Sequence, residues 1–209
     1  MLNQKEIYRL IKEGEGESLD FKQGINSKEK IAKTLSAFAN TKGGYLLIGV
    51  KDNGKILGVD PMEEKEMLEW TTDSFTKPVV PIDYEIIEVE GKSILAAYIK
   101  ESNQKPHFAL DENKRKWAYI RSKDQTLLAS IVLLDVMKKD SMNEDKQIHF
   151  GEAEKQLLEY LEKHSQITMK EFCRLCKLPR KIAVKILVNL IRMKIIKVSV
   201  QEKTDYYTL

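Results

Sequence analysis

The C-terminal part of the chain carries a row of side chains suited to nucleic-acid contact: Lys181, Lys185, Asn189 and Arg192. Steps of four, four and three residues place them on one face of a helix. Apolar residues lie opposite, where they would pack inward: Ala183, Ile186, Leu187 and Leu190. Lysine and arginine on such a helix bind phosphates or the guanine edge in the DNA major groove. We therefore predict DNA contact by this helix, with Arg180 at its start and Lys203 in a following turn as further contacts.

The same helix admits a second interpretation. Val184 and Val188 interrupt its polar face, and a helix that binds protein or a second copy of the chain would show this pattern too. The charge distribution favours a polyanionic partner. Residues 151–209 contain 12 Lys and Arg against 7 Asp and Glu, whereas the rest of the chain has a net charge of −2. A concentrated basic region is typical of nucleic-acid-binding domains.

The elements around this helix predict a small domain over residues 150–209. They are Glu152–Lys163, a helix capped by Thr168, a helix from Pro179 to about Lys194, and strands Ile195–Val200 and Tyr206–Leu209. Three helices followed by a two-stranded hairpin is the layout of a winged helix-turn-helix. This layout predicts a DNA-binding transcriptional regulator that acts as a homodimer on a palindromic site.

The N-terminal part is organised around the stretch Leu35–Gly54. Leu35–Ala39 ends a helix with small residues, and Asn40–Gly44 forms a turn in which the glycines permit positive φ. Tyr45–Val50 is an uninterrupted apolar run, which predicts a central strand buried on both faces. Asp52–Gly54 then has the composition of a hairpin turn.

This stretch also carries a resemblance to a known family. The run AFANTKGGYLLIGVKDNGKILGV is similar to the signature of the AlbA_2, or Schlafen-type, nucleic-acid-binding domain. Glu15–Lys22 resembles the family's lead-in to a Glu-Phe-Lys tripeptide, with Asp20 where Glu is usual. Lys105–His107 and Trp117–Ser122 are later family-like pieces. The resemblance covers roughly residues 13–135 and implies an α+β domain with a mixed sheet, which we place at residues 1–145.

The resemblance implies a second kind of site. Animal relatives of the Schlafen type have a metal-dependent RNA-cleaving site made of two acids five residues apart and an Asp after the central strand. Glu15, Asp20 and Asp52 match those positions, and such carboxylates bind Mg²⁺ or Mn²⁺ against a scissile phosphate. Lys22, on the Asp20 face of its strand, would neutralise charge and contact nucleic acid. A turn alone would also select Asp52, and the animal site uses two cores, so a dimer would be required here.

Apolar periodicity and turn residues predict the remaining elements of the first domain. They are helix Asn3–Glu13, strand Ser18–Lys22, a helix from about Ser27 to Asn40, strand Ile56–Val59, helix Pro61–Phe75, hairpin strands Ile82–Val89 and Ser93–Ile99, an irregular loop Ser102–Leu110, strand Lys116–Arg121 and helix Gln125–Lys139. Asp140–Gln147 is polar and without pattern, so we predict a linker there.

Composition excludes several classes of protein. The 209 residues contain no apolar run long enough to span a membrane, and the N-terminus has no signal-peptide pattern, so we expect a cytoplasmic protein. No G-x-x-x-x-G-K-[ST] pattern occurs, so no P-loop is expected. Cys173 and Cys176 could bind metal or act in redox chemistry, but no second ligand pair exists, and we expect them to pack in a core.

Overall fold

The computed structural model describes residues 2–145 and 150–209, which form two compact units divided between Leu128 and Ala129. The first unit contains α1 (Gln4–Glu13), β1 (Leu19–Lys22), α2 (Lys28–Asn40), β2 (Gly44–Ile48), α3 (Pro61–Phe75), β3 (Thr76–Lys77), β4 (Asp83–Val89), β5 (Lys92–Ile99), β6 (Phe108–Leu110), β7 (Lys116–Ser122) and β8 (Gln125–Leu128). The second contains α4 (Ile131–Ser141), α5 (Glu152–Lys163), β9 (Ile167–Thr168), α6 (Met169–Leu175), α7 (Arg180–Arg192), β10 (Lys197–Val200) and β11 (Asp205–Thr208). The predicted α+β class is confirmed.

The first unit is built on a mixed four-stranded sheet of order β1-β2-β5-β4. β1 and β2 are parallel, since α2 forms the crossover between them, whereas β5 is antiparallel to both β2 and β4. Leu46 and Ile48 of β2 belong to one buried apolar cluster, and Leu47 belongs to another. Because alternate side chains of a strand point to opposite faces, the predicted central strand is confirmed as buried on both faces.

The end of α2 fixes how this sheet meets the second sheet of the unit, whose order is β3-β6-β7-β8. Asn40 donates from Nδ2 to the carbonyl oxygens of His107 and Tyr119, and its Oδ1 accepts from the His107 N–H at 2.7 Å. Gly43 follows with a φ of 74°, and a Cβ there would lie 2.5 Å from the Ile99 carbonyl oxygen. The Asn-to-Gly turn therefore needs these residue types for its hydrogen bonds and its close approach.

The second unit packs its helices on a three-stranded antiparallel sheet of order β10-β11-β9. The predicted capping box at the start of α6 is confirmed: the Thr168 hydroxyl accepts from the Glu171 N–H, and the Glu171 carboxylate accepts from the Thr168 N–H. Residues from every helix and two strands form the buried core, including Val132, Leu157, Leu161, Ile167, Phe172, Leu187, Leu190 and Tyr207.

Several predicted elements differ from the structure. Ile56–Val59 is not a strand, although Ile56 forms an isolated bridge with Val50. Gln125–Leu128 pairs with β7 as a strand, so the predicted helix begins later, where the Ser130 hydroxyl caps α4. The predicted loop contains β6, and β9 was not expected.

The helix expected to close the first domain instead packs into the core of the second unit through Val132. The predicted linker Asp140–Gln147 begins inside this helix, and its last two residues lie outside the described part of the chain.

Candidate nucleic-acid interface

Three cations are exposed on the first half of α7: Arg180, Lys181 and Lys185. The first turn of this helix has no acidic side chain, and Pro179 at the N-cap offers no side-chain acceptor. The N-terminal end of a helix carries partial positive charge, so these cations and the helix dipole reinforce one another. Among the described residues, none of the three forms an ion pair. The result is a concentrated positive surface open to solvent.

Arg192 does not belong to this surface, because the structure buries the side chain that the sequence predicted to contact DNA. Its side chain is only 3% exposed and donates from Nε to Asp140 Oδ1 at 2.8 Å. Nη2 donates to the carbonyl oxygens of Lys139 and Glu144 at 3.2 and 2.7 Å. Lys139 and Asp140 belong to α4, and Glu144 lies just after it. The spacing of residues along α7 could not predict that α4 packs against this helix.

The same helix explains the two valines that interrupt the polar face. Val184 and Val188 are 6% and 1% exposed, and both share a buried cluster with Val132 of α4. Val136, one turn further along α4, also packs against this cluster. The stripe Val184–Val188–Arg192 is therefore covered by α4, and the row predicted from the sequence is divided into an exposed and a covered part.

The two remaining predicted contacts differ in their exposure. Asn189 is half-buried, and Lys203 is exposed in the turn between β10 and β11. Near the start of α7 the two helices leave a cavity of about 420 Å³, lined by Ile131, Asp135, Arg180, Lys181, Val184 and Lys185. The structure thus brings the three exposed cations of α7 together around one cavity, with Asp135 beside them.

In the first unit, Asp20 lies in a buried network with two cations. Its Oδ1 accepts from Arg121 Nη1 at 3.2 Å, and its Oδ2 accepts from Lys22 Nζ at 2.6 Å. The Arg121 side chain is 2% exposed and also donates to the carbonyl oxygens of Gly16 and Leu19. Sequence reasoning did not assign Arg121 a role, although it lies in the family-like piece Trp117–Ser122.

Glu15 is brought close to this network. Its Oε1 accepts from the Phe21 N–H at 2.8 Å, which holds the carboxylate against β1. Burial raises the pKa of Glu15, and the negative charge of Asp20 acts in the same direction. The predicted five-residue spacing therefore does place two acids together, in a setting where Asp20 is already compensated by Arg121 and Lys22.

Asp52, the third predicted acid, is exposed in the turn after β2. Within residues 2–145 and 150–209, no group of three His, Cys, Asp or Glu side chains is arranged to hold a metal ion. The donors present do not fit a Mg²⁺ or Mn²⁺ centre, because Asp20 is bound to two cations and three carboxylates do not converge.

The two cysteines pack against the apolar core of the second unit, as expected. Cys176 Sγ lies 3.7 Å from the Ala153 carbonyl oxygen, and burial raises the pKa of its thiol. A raised pKa disfavours the thiolate, which is the reactive and metal-binding form.

Comparison with models of protein families identifies the family of the first unit. A family model described as Schlafen, AlbA_2 matches residues 15–130, more than half of the chain. The chain belongs to the Schlafen AlbA_2 family. The predicted resemblance is thereby confirmed for the AlbA_2 domain, which contains Glu15, Asp20, Lys22 and Arg121. A second model, described as a PCI domain, matches residues 153–206 in the other unit.

Individual relatives match the AlbA_2 protein over part of its length. An uncharacterized ATP-binding protein of Ureaplasma parvum is 32% identical over an alignment of 124 residues, and the match covers 49% of this chain and 35% of that protein. The chain thus spans about a third of the length of this relative.

Two solved structures resemble the AlbA_2 protein more distantly. The N-terminal domain of an ATP-dependent DNA helicase RecG-related protein from Nitrosomonas europaea has a TM-score of 0.40 at 21% identity, covering 56% of this chain and 81% of that one. The DIP2311 protein from Corynebacterium diphtheriae has a TM-score of 0.42 at 20% identity, covering 59% and 24%. Separately, none of the helices in the described parts of the chain has the length and apolar character needed to cross a lipid bilayer.

Proposed function

We propose that this protein binds nucleic acid and that its second unit is a winged helix that contacts duplex DNA through α7. The observation that carries the proposal is the group of exposed cations Arg180, Lys181 and Lys185 on the first half of that helix. Each can neutralise a phosphate and release condensed counterions, which is the main source of affinity in sequence-independent DNA binding.

The order of elements in the second unit supports the winged-helix assignment. α5, β9, α6, α7, β10 and β11 follow one another, and the three strands form one antiparallel sheet. In this layout α7 occupies the place of the recognition helix, and the turn carrying Lys203 occupies the place of the wing. We infer a role in transcriptional regulation, with a homodimer as the DNA-binding form.

Membership of the AlbA_2 family points in the same direction. We do not propose nuclease activity, because the carboxylates Glu15, Asp20 and Asp52 do not form a metal site. In the sequence, Val184 and Val188 favoured a protein-binding role for α7, but both valines are buried in a cluster with Val132 of α4, which explains them within the chain.

Fluorescence anisotropy with a labelled mixed-sequence duplex tests the proposal on the full chain. The double variant Lys181→Ala/Lys185→Ala should bind more weakly than wild type, and its plot of log affinity against log salt should be shallower by about 2, because two phosphate contacts are lost. The matched control is Lys155→Ala/Lys163→Ala, which removes two exposed lysines from α5. Equal affinity and equal salt dependence for both variants would refute DNA contact by α7.

A further inference from the structure

α4 occupies part of the outer side of α7, the side that a recognition helix presents to DNA. Val184, Val188 and Arg192 follow at steps of four and form one stripe, which lies away from the inward-packed Ala183 and Leu187. All three residues of the stripe are buried. Arg192 bonds to α4 and to Glu144 just after it, and both valines share a buried cluster with Val132 of α4.

The contact is tightest at the C-terminal ends of the two helices. There Arg192 donates three hydrogen bonds, to the Asp140 carboxylate and to the carbonyl oxygens of Lys139 and Glu144. Asp140 is itself half exposed at the surface, with a side-chain exposure of 50%. This end of α4 is therefore held by a latch of one ion pair and two hydrogen bonds to backbone acceptors.

The N-terminal ends of the two helices border the cavity. The cavity of about 420 Å³ opens between Ile131 and Asp135 on α4 and the cations of α7. Ile131 at this end is 50% exposed, whereas Val132 beside it is buried in the core. α4 is thus held at its C-terminal end by the latch, in its middle by Val136 and near its N-terminal end by Val132, with the cavity beside that end.

Size decides whether α7 can enter DNA in this arrangement. The major groove is about 12 Å wide, and one α-helix with its side chains is about 10–12 Å across. Two packed helices, with axes about 8–10 Å apart, do not fit. While α4 covers α7, the exposed Arg180, Lys181 and Lys185 can touch phosphates, but the middle of α7 cannot reach base edges.

We propose that α4 is a removable cover, so that α4 and the major groove of duplex DNA compete for the same face of α7. This inference rests on the proposed function and adds its regulation. The closed state binds DNA only through phosphate contacts, and full binding requires α4 to leave α7. The apparent affinity for duplex is then reduced by the fraction of molecules that are closed.

The test weakens the cover without removing any cation of α7. Val136→Ala/Asp140→Asn trims one contact of α4 and removes the carboxylate of the latch, while alanine maintains the helix. The matched control Val198→Ala/Glu162→Gln makes the same chemical changes on β10, which packs against the same core, and on the exposed side of α5. Both proteins are titrated as full chains against the mixed-sequence duplex, and hydrogen exchange of the amides of residues 131–141 is followed with and without DNA.

If α4 is a removable cover, Val136→Ala/Asp140→Asn should bind the duplex at least about 10-fold more tightly than its control does. Duplex should also accelerate amide hydrogen exchange in α4 of the wild-type protein. Salt-dependent duplex binding with equal affinities and unchanged exchange in α4 would overturn the cover while leaving the proposed function standing. Failure of every variant to bind duplex would instead refute the proposed function, and the cover with it.

Discussion

Replacement of Asp20 by asparagine tests whether its buried network is structural. Asp20→Asn keeps the shape of the side chain and an oxygen that can accept from Arg121, but it removes the charge that compensates a guanidinium only 2% exposed. Breaking a buried ion pair by removing one partner costs about 3–5 kcal/mol. Arg121 keeps three other acceptors, the carbonyl oxygens of Gly16 and Leu19 and the hydroxyl of Thr126, so we expect the low end, about 3 kcal/mol.

Asp52→Asn is the matched control, because Asp52 is exposed in a turn and its substitution should cost no more than about 0.5 kcal/mol. Urea unfolding followed by tryptophan fluorescence is the assay. The chain has two tryptophans, Trp70 and Trp117, and both lie in the first unit, so the signal reports the unfolding of that unit alone. With a slope of about 2 kcal/mol/M, the midpoint should fall by about 1.5 M for Asp20→Asn. Equal midpoints for the two variants would refute the structural account of Asp20.

Two further predictions concern the same unit and use the same assay. Gly43→Ala should destabilise the first unit by about 3 kcal/mol or more, because Gly43 has a left-handed conformation and a Cβ there would lie 2.5 Å from the Ile99 carbonyl oxygen. Gly91 also has a positive φ, but a Cβ there would meet no atom within 4 Å beyond its chain neighbours, so Gly91→Ala should cost only about 1 kcal/mol. Equal costs for the two variants would contradict the clash at Gly43. Glu15→Gln should change how the free energy of unfolding depends on pH. Burial raises the pKa of Glu15 above 4.5, so the carboxyl group contributes favourably to stability below that pH, and this contribution is lost as the pH rises through the folded-state pKa. The unfolding free energy of Glu15→Gln relative to wild type should therefore be higher at pH 7 than at pH 4, and a difference that does not change with pH would contradict the burial of the carboxylate.

Local patterns in the sequence were sufficient for much of the fold. The apolar run at β2 identified the central strand, and the Thr168 capping box identified the start of α6, because each signal depends on neighbouring residues only. The motif pieces between Glu15 and Ser122 were sufficient to identify the family. Short strands such as β6 and β9 gave no periodic signal, and only their pairing partners define them.

The parts that failed depend on contacts between distant segments. Helical spacing placed Arg192 beside Lys181 and Lys185, but it could not show that α4 lies over one stripe of that face. Val184 and Val188 were the available signal, since apolar residues on an outward face indicate a partner. Likewise the spacing of Glu15 and Asp20 matched an acidic site, whereas the arginine that compensates Asp20 comes from position 121, about 100 residues later in the chain.

Ultraviolet cross-linking of the full chain to a duplex containing iodouracil, followed by mass spectrometry of the cross-linked peptides, tests the central claim most directly. The account predicts cross-links in the peptides that contain Arg180–Lys185 and in the turn that carries Lys203. Cross-links confined to the first unit, with none in α7, would contradict it.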